Sequence, residues 1–371
     1  MLAKLCAFVK KEIVLCIAFV CAAVSCIFVP PSAAYLDYID LRVLTLLGCL
    51  MAAVAGLTRA GLLDRLSSLL LKKAGTQRSL MLVLTLLCFF SSMVMTNDVA
   101  LVTFVPLTIL ILTQAKLHAL LIPVITLETV AANLGSALTP VGNPQNLHLF
   151  SYYSMGAGEF FAVTGPLCAA SLVLVVAAVF CVKTTSALGI ILPAKETALD
   201  AKRLLLHGIL LLLSLLTVFS VLDWRVLLII VIIALLLFDR GIFAKVDYAL
   251  LCTFVCFFIF SGNLAAIPAV RGLLTSLMDK SAFFASLLAS QVISNVPAAL
   301  LLSPFTDNAA AMLLGTDVGG LGTIVASLAS LISYKYYARA EGTNSGRYLL
   351  YFTLVNVILL IPLIVLAVVM L

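Results

Sequence analysis

Residues 92–98 read Ser-Met-Val-Met-Thr-Asn-Asp, and residues 290–296 read Ser-Gln-Val-Ile-Ser-Asn-Val. Each string sits inside an otherwise apolar segment, 79–112 or 281–306. Each puts polar residues, Thr96-Asn97-Asp98 or Ser294-Asn295-Val296-Pro297, where a continuous apolar helix would carry none. A backbone that leaves helical geometry in a bilayer exposes N–H and C=O groups, each costly unless protein, water or a ligand satisfies it. The pattern predicts two re-entrant hairpins with polar tips.

The surrounding sequence makes hydrocarbon the main solvent. Of 371 residues, 64% are hydrophobic and 10% charged, far from the balance of a soluble domain. Apolar runs long enough to cross a roughly 30 Å core predict spans at 11–30, 41–58, 119–148, 159–182, 203–221, 224–238, 246–264, 309–333 and 348–371. The run Ile13–Val29 is too long for the apolar region of a cleaved signal peptide, although Lys10 and Lys11 precede it. The cysteines lie almost entirely inside these runs without a CxxC pair, as small apolar packing residues do. The net charge of +6 forms no basic face for nucleic acid.

The charge instead sorts by topology. Of the 22 Lys and Arg, Arg42, Arg225, Arg271 and Lys280 fall on one side of the predicted layout and all others on the opposite side. The positive-inside rule then predicts a cytoplasmic N-terminus and an outside C-terminus in a cell (inner or plasma) membrane. The first hairpin would enter from inside and the second from outside.

Comparison of the chain with itself extends the symmetry. Asp40–Leu57 resembles Asp247–Leu264, an amphipathic stretch follows each, and then comes a hairpin. After each hairpin comes a Gly-rich span, Asn133-Leu-Gly-Ser-Ala-Leu-Thr139 or Asp317-Val-Gly-Gly-Leu-Gly-Thr323. The chain is read as an N-terminal repeat over 1–183, containing hairpin 79–112 and broken span 119–148. A linker and connecting span follow over 184–221. An inverted C-terminal repeat over 222–371 contains hairpin 281–306 and broken span 309–333. The fold class is thus an all-α polytopic membrane protein with an inverted repeat, two re-entrant hairpins and two broken helices. Such breaks meet near the midplane in secondary transporters, where helix N-termini favour anions and unwound carbonyls coordinate cations.

A lone membrane Ser or Thr usually bonds back to its own helix, and glycines often serve only close packing. The paired occurrence of Ser92 with Ser290, and of Thr139 with Thr323, favours a site. Asn143-Pro-Gln-Asn146 adds two Asn, a Gln and a helix-breaking Pro to an apolar segment. Asp98 at the first tip and Glu128 within the span near Ala119 are carboxylates at membrane depth, and so are candidates for carrying a proton or cation. Asp317 stands where the first half has Asn133. His118, His148 and His207 lie at span ends, where a lone His is usually interfacial, and receive no role. An HExxH or GxSxG motif, a P-loop and an intramembrane His-carboxylate pair are all missing, which argues against an enzyme or an ATP-driven pump.

In their order, Ser92-x-x-x-Thr96-Asn97-Asp98, Asn133-Leu-Gly-Ser-Ala-Leu-Thr-Pro-Val-Gly-Asn-Pro-Gln-Asn146 and Ser290-x-x-x-Ser294-Asn295 resemble the ion transporter superfamily over residues 36–371. Within it the pattern is similar to the citrate-transporter-like permeases, relatives of divalent anion/sodium symporters, arsenite permeases and one class of sodium/proton antiporters. The resemblance implies one sodium site from Ser92, Thr96, Asn97 and Gly142, and a second from Ser290, Ser294, Asn295 and Ala326. It implies substrate contacts at Thr96, Asn97, Asn143, Pro144, Ser294, Asn295 and Ser327. It also implies an elevator mechanism and a homodimer joined through its scaffold. Sodium ions are the one cofactor-like species it suggests.

The sequence departs from the symporter pattern at Asp98 and Val296, where those symporters carry Thr, and at Leu328, where the second span would carry Pro. An ionised Asp98 would repel an anionic substrate strongly at low dielectric, so it is either protonated during transport or bound to a cation. The expected function is a sodium- or proton-coupled permease for a small anion such as a di- or tricarboxylate. The alternative is a sodium/proton or arsenite/proton antiporter using Asp98.

Overall fold

The computed structural model describes residues 12–71, 75–184, 199–340 and 343–371. Lys4, Lys10, Lys11, Lys72, Lys73 and Lys195, used in the charge argument, lie outside the described residues. The described residues form α-helices joined by short turns and 3₁₀ segments, with no strand among them. The first half contains α1 (Ile13–Phe28), α2 (Ala34–Tyr38), α3 (Leu41–Arg59), α4 (Leu62–Leu71), α5 (Gln77–Ser91), α6 (Asn97–Gln114), α7 (Leu121–Ser136), α8 (Pro144–Tyr152) and α9 (Ala157–Cys181). There follow α10 (Ala201–Val218), α11 (Trp224–Phe238), α12 (Tyr248–Ala266), α13 (Pro268–Ile293), α14 (Asn295–Leu302), α15 (Ala309–Gly319), α16 (Leu328–Arg339) and α17 (Ser345–Met370).

Every interruption expected from sequence is present. The segment 79–112 breaks between α5 and α6, and 119–148 breaks between α7 and α8. The segment 281–306 breaks at Ser294, and 309–333 between α15 and α16. The local chemistry explains where helices restart. Asp40 caps α3 by accepting from Val43 N at 2.9 Å, and the matched Asp247 caps α12 by accepting from Leu250 N at 3.0 Å. Asn143 caps α8 by accepting from Asn146 N at 2.8 Å, with Pro144 in the first turn, where its missing N–H costs nothing. Within α13 the backbone of Ser281 is extended, so a new helical stretch begins where the broken apolar segment was expected to begin.

Seven helices among the described residues, α3, α6, α7 (with its leading 3₁₀ turn), α9, α10, α12 and α17, are long and apolar enough to cross a membrane. Nine crossings were expected from sequence. The difference arises because α1 and α11 are shorter, the broken spans are divided, and α6, read as a returning hairpin arm, has the length of a full crossing. Length and composition do not distinguish an arm that turns back from one that goes through.

Packing sorts the helices into two groups that cut across the sequence halves. In one, α1 packs on α12, and α3 packs on α10, α11 and α12. In the other, α7 is surrounded by α5, α6, α9, α16 and α17, while α15 packs on α13, α14 and α17. The groups meet where α12 touches α13 and α14 and where α3 touches α8. Inside the second group, α7 is buried along nearly its whole length.

Close approach there needs glycine. A Cβ at Gly135 on α7 would fall on the Phe89 carbonyl and 2.8 Å from Ser92 Oγ of α5. A Cβ at the matched Gly319 on α15 would fall 2.9 Å from Ser290 Oγ of α13. Side-chain-free positions let a hairpin arm lie directly against the broken helix that follows it.

Candidate functional site

Two hydrogen bonds tie each hairpin tip to the break that follows it, and both recur at matched positions. In the first half, Asn97 N donates to the Gly142 carbonyl at 3.0 Å and Thr139 Oγ1 to the Met93 carbonyl at 2.5 Å. In the second, Asn295 N donates to the Ala326 carbonyl at 2.9 Å and Thr323 Oγ1 to the Gln291 carbonyl at 3.0 Å. The four residues expected to form the first sodium site and the four expected to form the second are thereby gathered into two compact groups.

Within each group the hydroxyls already have local partners. Ser92 Oγ donates to Phe89 O at 2.8 Å and Ser290 Oγ to Ser286 O at 2.7 Å, both within their own helices. A hydroxyl that donates back to its helix keeps its lone pairs free to coordinate a cation. Asn97 and Asn295 each bond the next backbone N–H through Oδ1, at 3.0 Å in both cases. Thr96 takes an extended conformation at the first tip, whereas Ser294 takes φ +74° at the second, a rare conformation for a residue with a side chain.

The two groups are joined by side chains that cross between halves. Asn133 on α7 accepts from Asn97 Nδ2 at 3.0 Å and from Ser327 Oγ at 3.0 Å, and its amide nitrogen lies 3.5 Å from Ser330 Oγ and from the Gly320 carbonyl. Asp317 on α15 accepts from Asn143 Nδ2 at 3.3 Å and from Asn146 Nδ2 at 3.1 Å. Asn143 also donates to Ser136 Oγ at 3.1 Å, and Asn146 Nδ2 to the Ala137 carbonyl at 3.2 Å. Asn133, Asn143, Asn146, Asp317 and Ser327 are at most 4% exposed. The arrangement is a buried polar network within an apolar bundle, where effective dielectric is low and each unsatisfied group is costly.

Residues outside the expected set therefore contribute. Asn133, Asn146 and Asp317 were quoted in motifs without a site role, and the matching of Asn133 with Asp317 was the signal that singles them out. Gln291 was missed altogether. Its amide nitrogen bonds the carbonyls of Gly319 and Leu321, both at 2.8 Å, and its Oε1 accepts from Thr323 N at 3.0 Å, so it pins the second break to its tip.

The candidate acids lie outside this network. Asp98 is partly buried and lines a cavity of about 150 Å³ that also borders Asp247, Leu328 and Lys335. Glu128 is fully buried on α7, where Thr108 Oγ1 donates to one carboxyl oxygen and the other has no protein partner. Among the described residues no Lys, Arg or His forms an ion pair with either acid. A second cavity of about 430 Å³, bordered by Asp40, His148, Tyr152, Phe258 and Ser303, lies at the other end of α12. A further cavity of about 980 Å³, near His118, Lys183 and Arg347, contains no tip residue.

His148 and His207, read from sequence as residues at span ends, are both buried within the protein. His148 Nε2 lies 3.0 Å from Ser303 Oγ and its ring faces Tyr152 and Phe258. His207 lies 3.5 Å from Asp239, which also pairs with Arg59 at 3.0 Å and Arg203 at 3.1 Å. His118 is exposed.

The citrate transporter family profile matches residues 5–330, covering both hairpins and most of the second break. The chain belongs to the citrate transporter family. Among its relatives, an uncharacterized transporter of Methanocaldococcus jannaschii is 32% identical over 289 residues, 78% of each chain. An inner membrane protein of Escherichia coli is 30% identical over 309 residues, 80% of each chain. A silicon efflux transporter of Oryza sativa subsp. japonica is 33% identical over 109 residues, 29% of this chain and 22% of the relative. As a member of the citrate transporter family, the protein is a multi-pass membrane transporter and not an enzyme.

Proposed function

We propose that the protein is a secondary active permease that couples uptake of a small anion, of the di- or tricarboxylate class, to sodium or proton entry. The observation that carries this reading is the recurrence of the same tip-to-break hydrogen bonds at matched positions of the two halves. In this reading the halves are an inverted repeat. Ser92, Thr96, Asn97 and Gly142 hold one sodium ion, and Ser290, Ser294, Asn295 and Ala326 hold the other. Thr96, Asn97, Asn143, Pro144, Ser294, Asn295 and Ser327 face the anion. Donor amides at the starts of α6, α8, α14 and α16 suit a carboxylate, since helix N-termini favour negative charge.

The packing groups support an elevator. The helices carrying tips and breaks form one body, and α1, α3, α10, α11 and α12 form the scaffold against which it slides and through which two copies pair. A cavity lies at each end of α12, along the boundary between the bodies, as alternating access requires. In this reading the N-terminus is cytoplasmic and the C-terminus outside, as the positive-inside rule applied to the charge distribution suggests. Glu128 is the proton-coupling candidate within the moving body. An antiporter built on Asp98 is the weaker reading, because Asp98 lines a cavity with Asp247 and Lys335 that borders none of Asn133, Asn143, Asn146 or Asp317.

The test is uptake of labelled citrate and succinate by proteoliposomes under imposed sodium and proton gradients, separately and together. Gradient-driven accumulation is expected. A flux indifferent to both gradients would reject coupling, and transport of neither carboxylate would reject the substrate class.

A further inference from the structure

The central network is symmetric in position but not in charge. Asn133 is a neutral amide surrounded by hydroxyls of Ser327 and Ser330, whereas its counterpart Asp317 is a carboxylate surrounded by the amides of Asn143 and Asn146. Asp317 is 2% exposed and, among the described residues, no Lys, Arg or His forms an ion pair with it. It stands in the last turn of α15, the negative end of the helix dipole, which opposes a fixed negative charge and attracts a cation.

A second observation points to what balances that charge. Asn146 Oδ1 and Gln145 Oε1 are buried and have no hydrogen-bond donor from the protein. Asn146 Oδ1 shares its amide group with the nitrogen that lies 3.1 Å from Asp317, so it is one amide rotation from the carboxylate. Gln145 precedes it on the same first turn of α8, and its side-chain amide also hydrogen-bonds Asp317, so its Oε1 too is one amide rotation from the carboxylate.

We infer that Asp317, Asn146 and Gln145 form an additional site for a monovalent cation of the sodium type, built from one carboxylate and two side-chain amide oxygens. Oxygen ligands select hard cations, and a single negative charge matches a monovalent ion better than a divalent one, for which several carboxylates are usual. The site deepens the proposed cation coupling and rests on that reading for its role in transport, while its existence is tested by binding alone.

The experiment follows the thermal unfolding midpoint of the purified full chain in detergent as sodium chloride replaces choline chloride at constant ionic strength, without carboxylate. The Asn97→Ala/Asn295→Ala variant removes the tip side chains, and it should keep a saturable rise of the midpoint with sodium. Adding Asp317→Asn should weaken the apparent sodium affinity at least about tenfold, a difference of about 1.4 kcal/mol. Asn at this position keeps an acceptor for Asn143 and offers a donor to Asn146 Oδ1, which favours folding. Should that variant still fail to give a monodisperse protein, Gln145→Leu reads the same site through one ligand and should weaken sodium several-fold. No sodium response with Asp317 present, or an unchanged response without the carboxylate or without the Gln145 oxygen, would overturn the site. Failure of the permease reading would register separately, as wild-type liposomes that bind sodium without sodium-driven uptake.

Discussion

Asn133 and Asp317 stand at matched places on α7 and α15, and each is held by the helix that restarts after the other half's break. Asn133 accepts from Ser327 at 3.0 Å, and Asp317 accepts from Asn143 and Asn146 at 3.3 and 3.1 Å. Neither break is closed by its own half alone, so the two halves fix each other's unwound segments.

Replacing Asn133 with Ala removes the acceptor for both Asn97 Nδ2 and Ser327 Oγ. A buried donor left unpaired costs about 1–3 kcal/mol. Asn133→Ala should therefore lower the unfolding midpoint clearly and reduce uptake by about tenfold or more, in the way a barrier increase of about 1.4 kcal/mol does. Wild-type stability together with wild-type uptake would show that the crossing bonds are not structural.

At the tips the expectation differs. Asn97 and Asn295 bond the breaks through backbone N–H groups, which alanine keeps. Asn97→Ala and Asn295→Ala should each abolish proteoliposome uptake while the protein elutes as a single species, with a midpoint close to wild type for Asn295 and modestly lower for Asn97, whose Nδ2 bond to Asn133 is lost. Full uptake in either variant removes that side chain from the transport site.

Gly135→Ala and Gly319→Ala test the seams. Each new Cβ meets a hairpin arm near Ser92 or Ser290. Overpacking of this kind costs about 1–3 kcal/mol. Both variants should lower thermal stability, with Gly135 the more sensitive because it abuts the backbone carbonyl of Phe89, while Gly319 meets mainly a side chain. Equal, negligible shifts in a midpoint assay would mean that the arms are loosely packed.

In the other packing group, Asp239 ties Arg59 on α3 and both Arg203 and His207 on α10 to the end of α11. The arginine side chains are 44% and 37% exposed, so water screens much of the attraction. Asp239→Ala should cost about 1–2 kcal/mol, below the figure for a fully buried pair. Its expected readout is a reduced midpoint in detergent with little change in uptake per folded molecule.

How much of this arrangement sequence alone discloses depends on whether the information is local. The breaks at 92–98 and 290–296 are legible because Asn, Pro and Ser interrupt long apolar runs, and the caps at Asp40, Asn143 and Asp247 are legible from residue type. The partners of Asp317 are not, since Asn143 and Asn146 lie 174 and 171 residues away and only packing brings them together. The burial of His148 and His207 is not legible for a related reason. A His at the end of an apolar run faces water in an isolated helix, but here Ser303 and Asp239 come from other helices to meet it. Gln291 carries no signal of its own in the sequence, because its role depends on three groups of a loop about thirty residues on.

Glu128 poses the remaining question of charge. It is fully buried beside Thr108, and one carboxyl oxygen lacks a protein partner. A buried carboxyl oxygen without a partner is costly unless something satisfies it. Gln is nearly isosteric with the protonated acid and can still accept from Thr108, so Glu128→Gln should leave the unfolding midpoint within about 2 °C of wild type, a shift below that of a 1 kcal/mol change. If Glu128 carries the coupling proton, the same variant should lose accumulation driven by a proton gradient while sodium-driven uptake persists, because Gln cannot take up and release the proton. Proton-driven accumulation that survives in Glu128→Gln would assign the residue to packing and leave proton coupling, where it occurs, to another acid.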